Sequence, residues 1–208
     1  MKITKIEIQK KNKNRVNLYI DEEFFCGLSL ETVVKNRLKE GLDIKEDSLN
    51  YLIFETEKEM ALSKAVNYIS KCQKTKKEVF KYLLQKGYDE QIINYVIDKL
   101  EEYKFVDDAL YAKNYIKFKN KNNGSRKIQL ELKQKGVSEE IAKESISLYS
   151  NDRENVLSVL TKYMKNKERD LKTKQKAYRH LASRGFSSED IVYALNQFFD
   201  RDGEEGDF

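Results

Sequence analysis

Three glycines set the plan of this chain. Gly87, Gly136 and Gly185 each close an apolar helical run with one local pattern, Leu83-x-x-Lys86-Gly87-Tyr88, Leu132-x-x-Lys135-Gly136-Val137 and Leu181-x-x-Arg184-Gly185-Phe186, and successive glycines stand 49 positions apart. A stop signal repeated at a period of that size describes a helical array, in which each unit buries its apolar face against its neighbours. Glycine takes the left-handed conformation that ends a helix, and the apolar residue after it folds back on the last turn. Proline is absent and only eight glycines occur, so little else interrupts the helices.

Apolar residues fall in three stripes per repeat at i, i+3, i+4 spacing. In the first they are Leu62, Ala65, Val66 and Ile69, then Val79, Phe80, Leu83 and Leu84, then Ile92, Ile93, Val96, Ile97 and Leu100. The second repeat has Ala112, Tyr115 and Ile116, then Ile128 and Leu132, then Ile141, Ala142, Ile146 and Tyr149. The third has Val156, Val159, Leu160 and Tyr163, then Ala177, Tyr178 and Leu181, then Ile191, Val192, Leu195, Phe198 and Phe199. Thr75-Lys76-Lys77-Glu78 is a capping box for the second helix, and Ser125 and Thr173 are expected to cap its counterparts. Asp89, Ser138 and Ser187 or Ser188 are expected to cap the third helices.

Ahead of the repeats, Ile6 and Ile8, then Val16, Leu18 and Ile20, alternate as half-buried strands do, and the polar run Lys10 to Arg15 reads as the hairpin tip between them. A third strand through Phe24 and Phe25 follows a turn at Asp21-Glu22. Leu30 to Leu38 is expected to be a helix closed by Gly41, and a long helix starts near Asp47. The expected architecture is mainly α, with tandem three-helix repeats forming an elongated curved body behind a small β-hairpin plus helix unit. Its divisions are residues 1–46, the first module with its long lead-in helix at 47–106, the second at 107–153, the third at 154–199, and an acidic disordered tail at 200–208.

Little in the sequence suggests catalysis. There is no G-x-x-x-x-G-K-[ST] phosphate loop and no G-x-G-x-x-G turn. The single histidine, His180, has no convincing nucleophile and cannot build a multi-histidine metal site; it reads as a surface or partly buried side chain. Asp107 and Asp108 precede a helical run, where one caps the helix and the other favours its N-terminal dipole. Cys26 and Cys72 are too far apart for a C-x-x-C pattern and are expected as reduced thiols. No enzyme activity, cofactor or metal is expected. Without an apolar run to span a bilayer or form a signal peptide, the chain is expected to be cytoplasmic, with no membrane partner.

What remains is charge tied to the repeat. The net charge is +5, but residues 200–208 carry five acids against Arg201, a net of −4, so the body carries +9. Between the first and second helices lie Lys71, Lys74, Lys76, Lys77 and Lys81 in module one, and Lys117, Lys119, Lys121, Arg126 and Lys127 in module two. Module three has Lys162, Lys165, Lys167, Arg169, Lys172, Lys174 and Lys176. Equivalent positions in stacked repeats face the same way, so these clusters are expected to form a discontinuous basic band that meets a polyanion or an acidic protein face. Lys74, Lys76, Lys77, Lys117, Lys119, Lys121, Arg126, Lys127, Lys165, Lys167, Lys172 and Lys174 are the candidate contacts. Tyr68, Tyr115 and Tyr163 recur near the ends of the first helices as core or boundary residues.

The middle module resembles the RecX family of recombinase regulators. The resemblance runs through Asp107-Asp108-Ala109-Leu110-Tyr111-Ala112, Tyr115-Ile116 and the stretch from Gly124-Ser125-Arg126-Lys127 to Lys135-Gly136-Val137, with Arg184-Gly185-Phe186 similar to that family's closing element. It covers about residues 60–199, and the N-terminal hairpin resembles an extension carried by some members. Lys74-Thr75 departs from the pattern, standing where a more arginine-rich start is expected. The resemblance implies a non-catalytic, monomeric protein that binds the RecA recombinase filament on single-stranded or filament-bound DNA. It would restrain filament growth, ATP hydrolysis and strand exchange, with a place in DNA repair and the SOS response. The basic band alone supports an alternative, a general nucleic-acid-binding helical repeat that works without a recombinase.

Overall fold

A computed structural model describes residues 1–199; the expected acidic tail lies outside the described residues. Three strands and ten helices occur there, and the strands come first: β1 Ile3–Gln9, β2 Asn12–Ile20 and β3 Glu23–Ser29, paired antiparallel in the order β1-β2-β3. Alternation along β2 sends Val16, Leu18 and Ile20 to the buried face, where Ile3 and Leu28 join them. Asp21 and Glu22 both have positive φ, 48° and 71°, and link β2 to β3 through a two-residue turn whose twist suits a hairpin. The polar run expected as a hairpin tip is shorter than its composition suggests, since Asn12 to Arg15 already belong to β2. Pairing with β1 and β3 outweighs the weak strand propensity of Asn and Lys.

Helix α1, Leu30–Lys35, is capped by Ser29 Oγ, which accepts from the Thr32 N–H. It ends at Lys35, three residues short of the expected Leu38, with Asn36 rather than Gly41 at its C-cap. Arg37 takes the left-handed conformation instead, and the Gly41 N–H bonds the Ile3 carbonyl at 2.8 Å, tying this turn to the sheet. Helix α2, Glu46–Ile69, begins on the sheet through Leu49 and Leu52 and continues as the first helix of module one. Its partners there are α3, Lys76–Gln85, and α4, Glu90–Glu102. Module two comprises α5 Asp108–Lys119, α6 Ser125–Lys135 and α7 Glu139–Tyr149. Module three comprises α8 Asp152–Met164, α9 Leu171–Ser183 and α10 Ser188–Phe199. Ala112, Ile116, Ile128, Leu132, Val137 and Ala142 form one core, and Val156, Leu160, Ala177, Leu181, Phe186, Ile191 and Leu195 belong to the next.

The described residues divide into two compact units: Met1–Cys72 with Val79–Phe105, and Gln73–Glu78 with residues 106–199. The first turn of α3 thus groups with module two, for a reason visible at its start.

The helix stops follow the expected chemistry. Gly87, Gly136 and Gly185 have φ of 84°, 93° and 87°, and the residues after them close Schellman motifs: Tyr88 N–H to Leu83 O, Val137 N–H to Leu132 O and Phe186 N–H to Leu181 O. Asp89, Ser138 and Ser187 cap the third helices through the amides of Gln91, Ile141 and Asp190. Asp107 caps α5 through the amides of Ala109 and Leu110. The capping box at Thr75 also forms, Thr75 N–H to Glu78 and Glu78 N–H to Thr75 Oγ1.

Two expected caps are different. Ser125 is the first residue of α6 rather than its cap, because Gly124 holds the cap position and makes no side-chain bond. Thr173 is the third residue of α9; Asp170 caps that helix through the Thr173 amide, and the hydrogen bonds from Thr173 hold the Asp170 carboxyl below the usual range. A charged carboxylate outcompetes a hydroxyl at the positive end of a helix, so α9 starts earlier and the three second helices differ in length.

Candidate partner-binding surface

The loops between first and second helices carry two kinds of chemistry, one that joins modules and one that faces outward. At the start of α3 the Lys76 N–H donates to Asp108, the first residue of α5, at 3.0 Å. One period later the Ser125 N–H donates to Asp152, the first residue of α8, at 3.0 Å. Thr75 Oγ1 donates to the Lys135 carbonyl at 2.6 Å, and the Gly124 N–H donates to the Arg184 carbonyl at 2.9 Å. The starts of α3 and α6 are therefore each tied to the following module at two points, the carbonyl of the residue before that module's closing glycine and the carboxylate at the head of its first helix.

Several candidate cations belong to this joinery. The Lys77 stem covers Gly136, where an added Cβ would come within 2.3 Å of it. Lys127 lies over Gly185 with its backbone and Cβ, the Cβ 2.4 Å and the nitrogen 2.5 Å from where an added Cβ would stand. Lys74 and Lys76 are half-buried, and each engages another group. Lys119 is half-buried beside Glu131, with Nζ 3.5 Å from its carboxylate and 5.4 Å from the Tyr115 ring centre.

The outward-facing cations are Lys117, Lys121, Arg126, Lys165, Lys167 and Lys172, together with the head of Lys77. Lys117 stands 5.7 Å above the Tyr149 ring, and Lys174, half-buried, lies 5.3 Å from the Phe199 ring centre. Arg126 borders a hollow of about 250 Å³ beside Gln129 and Lys133. Lys165 and Lys167 border a larger groove of about 450 Å³, together with Lys162, Arg184, His180, Tyr163, Val159 and Asn122. The sequence reading missed His180 and Arg184 as members of a cationic cluster, since neither lies between the first and second helices. Their distance of five and one residues from the closing glycine was the available signal.

The three recurring tyrosines are half-buried boundary residues, as expected, and each faces a second helix or its own. Tyr68 stacks on Tyr82 with ring centres 4.1 Å apart. Tyr115 donates to Glu131 at 2.7 Å, and burial followed by that hydrogen bond pushes its hydroxyl above the ordinary tyrosine range. Tyr163 stacks on His180 at 4.4 Å, and Lys167 Nζ sits 3.1 Å from the Tyr163 ring centre. Burial, then Arg184 and Lys167, hold the His180 pKa below its ordinary value.

Among the described residues no group of three or more His, Cys, Asp or Glu is placed to hold a metal, and no helix is long and apolar enough to cross a membrane. The hollow of about 1070 Å³ between β2, α1 and α2 contains Glu59, whose carboxylate accepts from Ser29 Oγ at 2.6 Å, so it is held as a structural acceptor. Cys26 and Cys72 are free thiols.

Comparison with known proteins accounts for nearly the whole chain. Four family models match in order: the regulatory protein RecX N-terminal domain over residues 1–45, and the first, second and third RecX three-helix domains over residues 61–100, 107–146 and 151–195. The regulatory protein RecX of Clostridium tetani is 39% identical over 208 residues, spanning 97% of this chain and 96% of that one. That of Clostridium beijerinckii is 42% identical over 197 residues, spanning 90% and 91%. A crystal structure of regulatory protein RecX has the same fold, with a TM-score of 0.72 over 96% of this chain and 98% of that one at 23% identity. RecX from Lactobacillus salivarius superposes with a TM-score of 0.63 at 27% identity, over 69% of this chain and 97% of its own. Relatives this similar along their full length, matched domain by domain, establish that the chain belongs to the RecX family of regulatory proteins.

Proposed function

We propose that this chain is a non-catalytic cytoplasmic regulator that binds the RecA filament on DNA as a monomer and restrains filament growth, ATP hydrolysis and strand exchange. The observation that carries this reading is the unbroken run of RecX domains, one N-terminal and three helical, at high identity to proteins named as regulators. The outward-facing cations Lys117, Lys121, Arg126, Lys165, Lys167 and Lys172 support an acidic protein face or nucleic acid as the surface met. Lys77 and Lys174 extend the same contact set; Lys74, Lys76, Lys119 and Lys127 contribute to it through the shape and charge of the helix starts.

The test is RecA's DNA-dependent ATP hydrolysis on single-stranded DNA with increasing amounts of this protein. Hydrolysis should fall at sub-stoichiometric to stoichiometric ratios, with shorter filaments in electron micrographs. Unchanged hydrolysis and filament length across that range would reject the reading. The exposed lysines also favour a second reading, a nucleic-acid-binding repeat that needs no recombinase. On that view DNA binds the protein alone, and affinity drops steeply with salt.

A further inference from the structure

The period that repeats the fold also shows where the modules stop being chemically alike. The residue five before the closing glycine faces the tyrosine of the first helix in each module: Tyr82 in the first, Glu131 in the second and His180 in the third. In module two the tyrosine carries the carboxylate of Glu131, which also pairs with Lys119. The cation just before the glycine, Lys135, donates to Glu78 at 3.1 Å, the third residue of the preceding second helix. Both acids are replaced one period later. Glu131 becomes His180, and Glu78 becomes Lys127, the third residue of α6.

The lysines have not been withdrawn to match. Lys167 keeps the place of Lys119 four residues after the tyrosine, and Arg184 keeps the place of Lys135. Lys162 and Lys165 add to them around one groove, and among the described residues no carboxylate lines it. Positive groups crowded without counter-charge around a partly buried imidazole are unfavourable in the free protein, and an anion set among them relieves the repulsion. We infer that this groove of module three binds the phosphodiester backbone of single-stranded nucleic acid through Lys162, Lys165, Lys167 and Arg184, with His180 as a fifth donor that is recruited by protonation.

A chain of phosphates fits better than one phosphate. The cations lie along an open groove of about 450 Å³ rather than at a closed pocket. The groups facing His180 are Lys162 and Tyr163 from α8, Lys165 and Lys167 from the segment after it, Arg184 on its own side and the neutral Asn122 from the turn before α6. None of these lining residues is an acid, so a bound phosphate brings a negative charge to the groove and raises the imidazole's pKa. Binding and protonation are then linked: affinity rises as pH falls through the window between the bound and free pKa of His180, and levels off below the free value. The inference rests on the reading that nucleic acid is part of this protein's target.

His180 is the sole histidine, so its imidazole signal in a proton–carbon correlation spectrum reports the groove without ambiguity. The intact protein is titrated with pH alone, with oligo(dT), and with inorganic pyrophosphate at matched ionic strength. Oligo(dT) should raise the His180 pKa by about one, equal to a tenfold change in affinity between the two protonation states. His180→Gln should bind with a flat pH profile, and His180→Glu, which restores the residue type of module two, should bind about tenfold more weakly or worse. The exposed pair Lys165→Ala/Lys167→Ala should reduce the salt slope of oligo(dT) binding by about 0.7 per lost phosphate contact, with the thermal midpoint unchanged. An unmoved His180 signal at saturating oligo(dT) overturns the inference, and so does an equal response to pyrophosphate, which would make this a site for free phosphate. RecA hydrolysis is measured alongside. If it falls while His180 stays silent, the groove inference fails and the RecA reading stands; if His180 responds while hydrolysis is unaffected, the reverse holds.

Discussion

The amide of Ser125 donates to the carboxylate of Asp152 at 3.0 Å across 27 residues, so the second helix of one module is capped by the first helix of the next. Asp152 also accepts from Ser150 Oγ at 2.8 Å, and Asp108 holds the Lys76 amide in the preceding junction while itself buried. Loss of a capping acceptor costs about 0.5–2 kcal/mol. Asp152→Ala and Asp108→Ala should each lower the urea midpoint by a corresponding amount, with Asp152→Asn milder because an amide oxygen still accepts. Two unchanged midpoints would mean that these bonds do not couple the modules.

The closing glycines should not be equivalent. All three have positive φ, so an alanine at any of them costs about 1–2 kcal/mol of backbone strain. At Gly87 nothing lies within 4 Å of an added Cβ, and strain is the whole cost. At Gly136 the methyl meets only side-chain atoms of Lys77, its Cβ, Cγ and Cδ, and at Gly185 it meets the backbone nitrogen of Lys127 at 2.5 Å. Overpacking adds about 1–3 kcal/mol where the neighbour cannot move. Stability by chemical denaturation should fall in the order Gly87→Ala, Gly136→Ala, Gly185→Ala, and equal losses at all three would show that the junctions yield freely.

What could be read beforehand was what local chemistry writes. The glycine stops, the caps at Asp89 and Ser138 and the apolar stripes depend on neighbours within a turn or two, and they appear where expected. Thr173 aligns with Thr75 in the repeat, but Asp170 three residues earlier offers a stronger acceptor. Asp108 and Asp152 each look like ordinary first-turn acids, and nothing in their surroundings names an amide 32 or 27 residues away as the partner. The basic clusters were visible as composition, but their division into joinery and open surface depends on which side of a helix meets the next module. Lys127 and Arg126 are adjacent in sequence, yet one packs over Gly185 and the other is exposed.

That division predicts unequal effects on partner binding. Lys121→Glu with Arg126→Glu should weaken association with RecA filaments while leaving the unfolding free energy within about 0.5 kcal/mol of the parent, as surface changes do. Lys127→Glu should weaken binding through its charge and leave stability intact, since the atoms that meet Gly185 are its backbone nitrogen, Cα and Cβ, which the variant keeps. Binding retained at physiological salt by the Lys121/Arg126 variant would reduce those cations to solvated surface.

The two thiols should separate by rate. Cys26 is partly buried in β3, and burial, offset in part by Arg15, pushes its pKa up to about 11. At pH 8 that leaves roughly one thiolate in a thousand, and the thiolate is the reactive form. Cys72 is exposed. Ellman's reagent should titrate one thiol quickly and the second only slowly or on unfolding; two fast thiols would mean that β3 opens readily.

His180 also makes the stability of module three depend on pH. Burial, then Arg184 and Lys167, keep its folded pKa below the value it has in the unfolded chain. The unfolded state therefore takes up the proton first as pH falls. The contribution is fully present above the unfolded pKa of about 6.5 and is lost progressively as pH drops through the folded pKa. Other groups titrate in acid too, so the reading is the difference between the wild type and His180→Gln, measured as denaturation midpoints from about pH 7.5 to about pH 5. That difference should shift against the wild type on acidification, and a constant difference would remove His180 from the account. A bound phosphate backbone offsets this loss, because the complex stabilises the protonated imidazole that the free fold rejects. Saturating oligo(dT) should then shrink or abolish the wild type's loss against His180→Gln as pH falls, so one pair of proteins, with and without ligand, separates the cost of the crowded charges from their use.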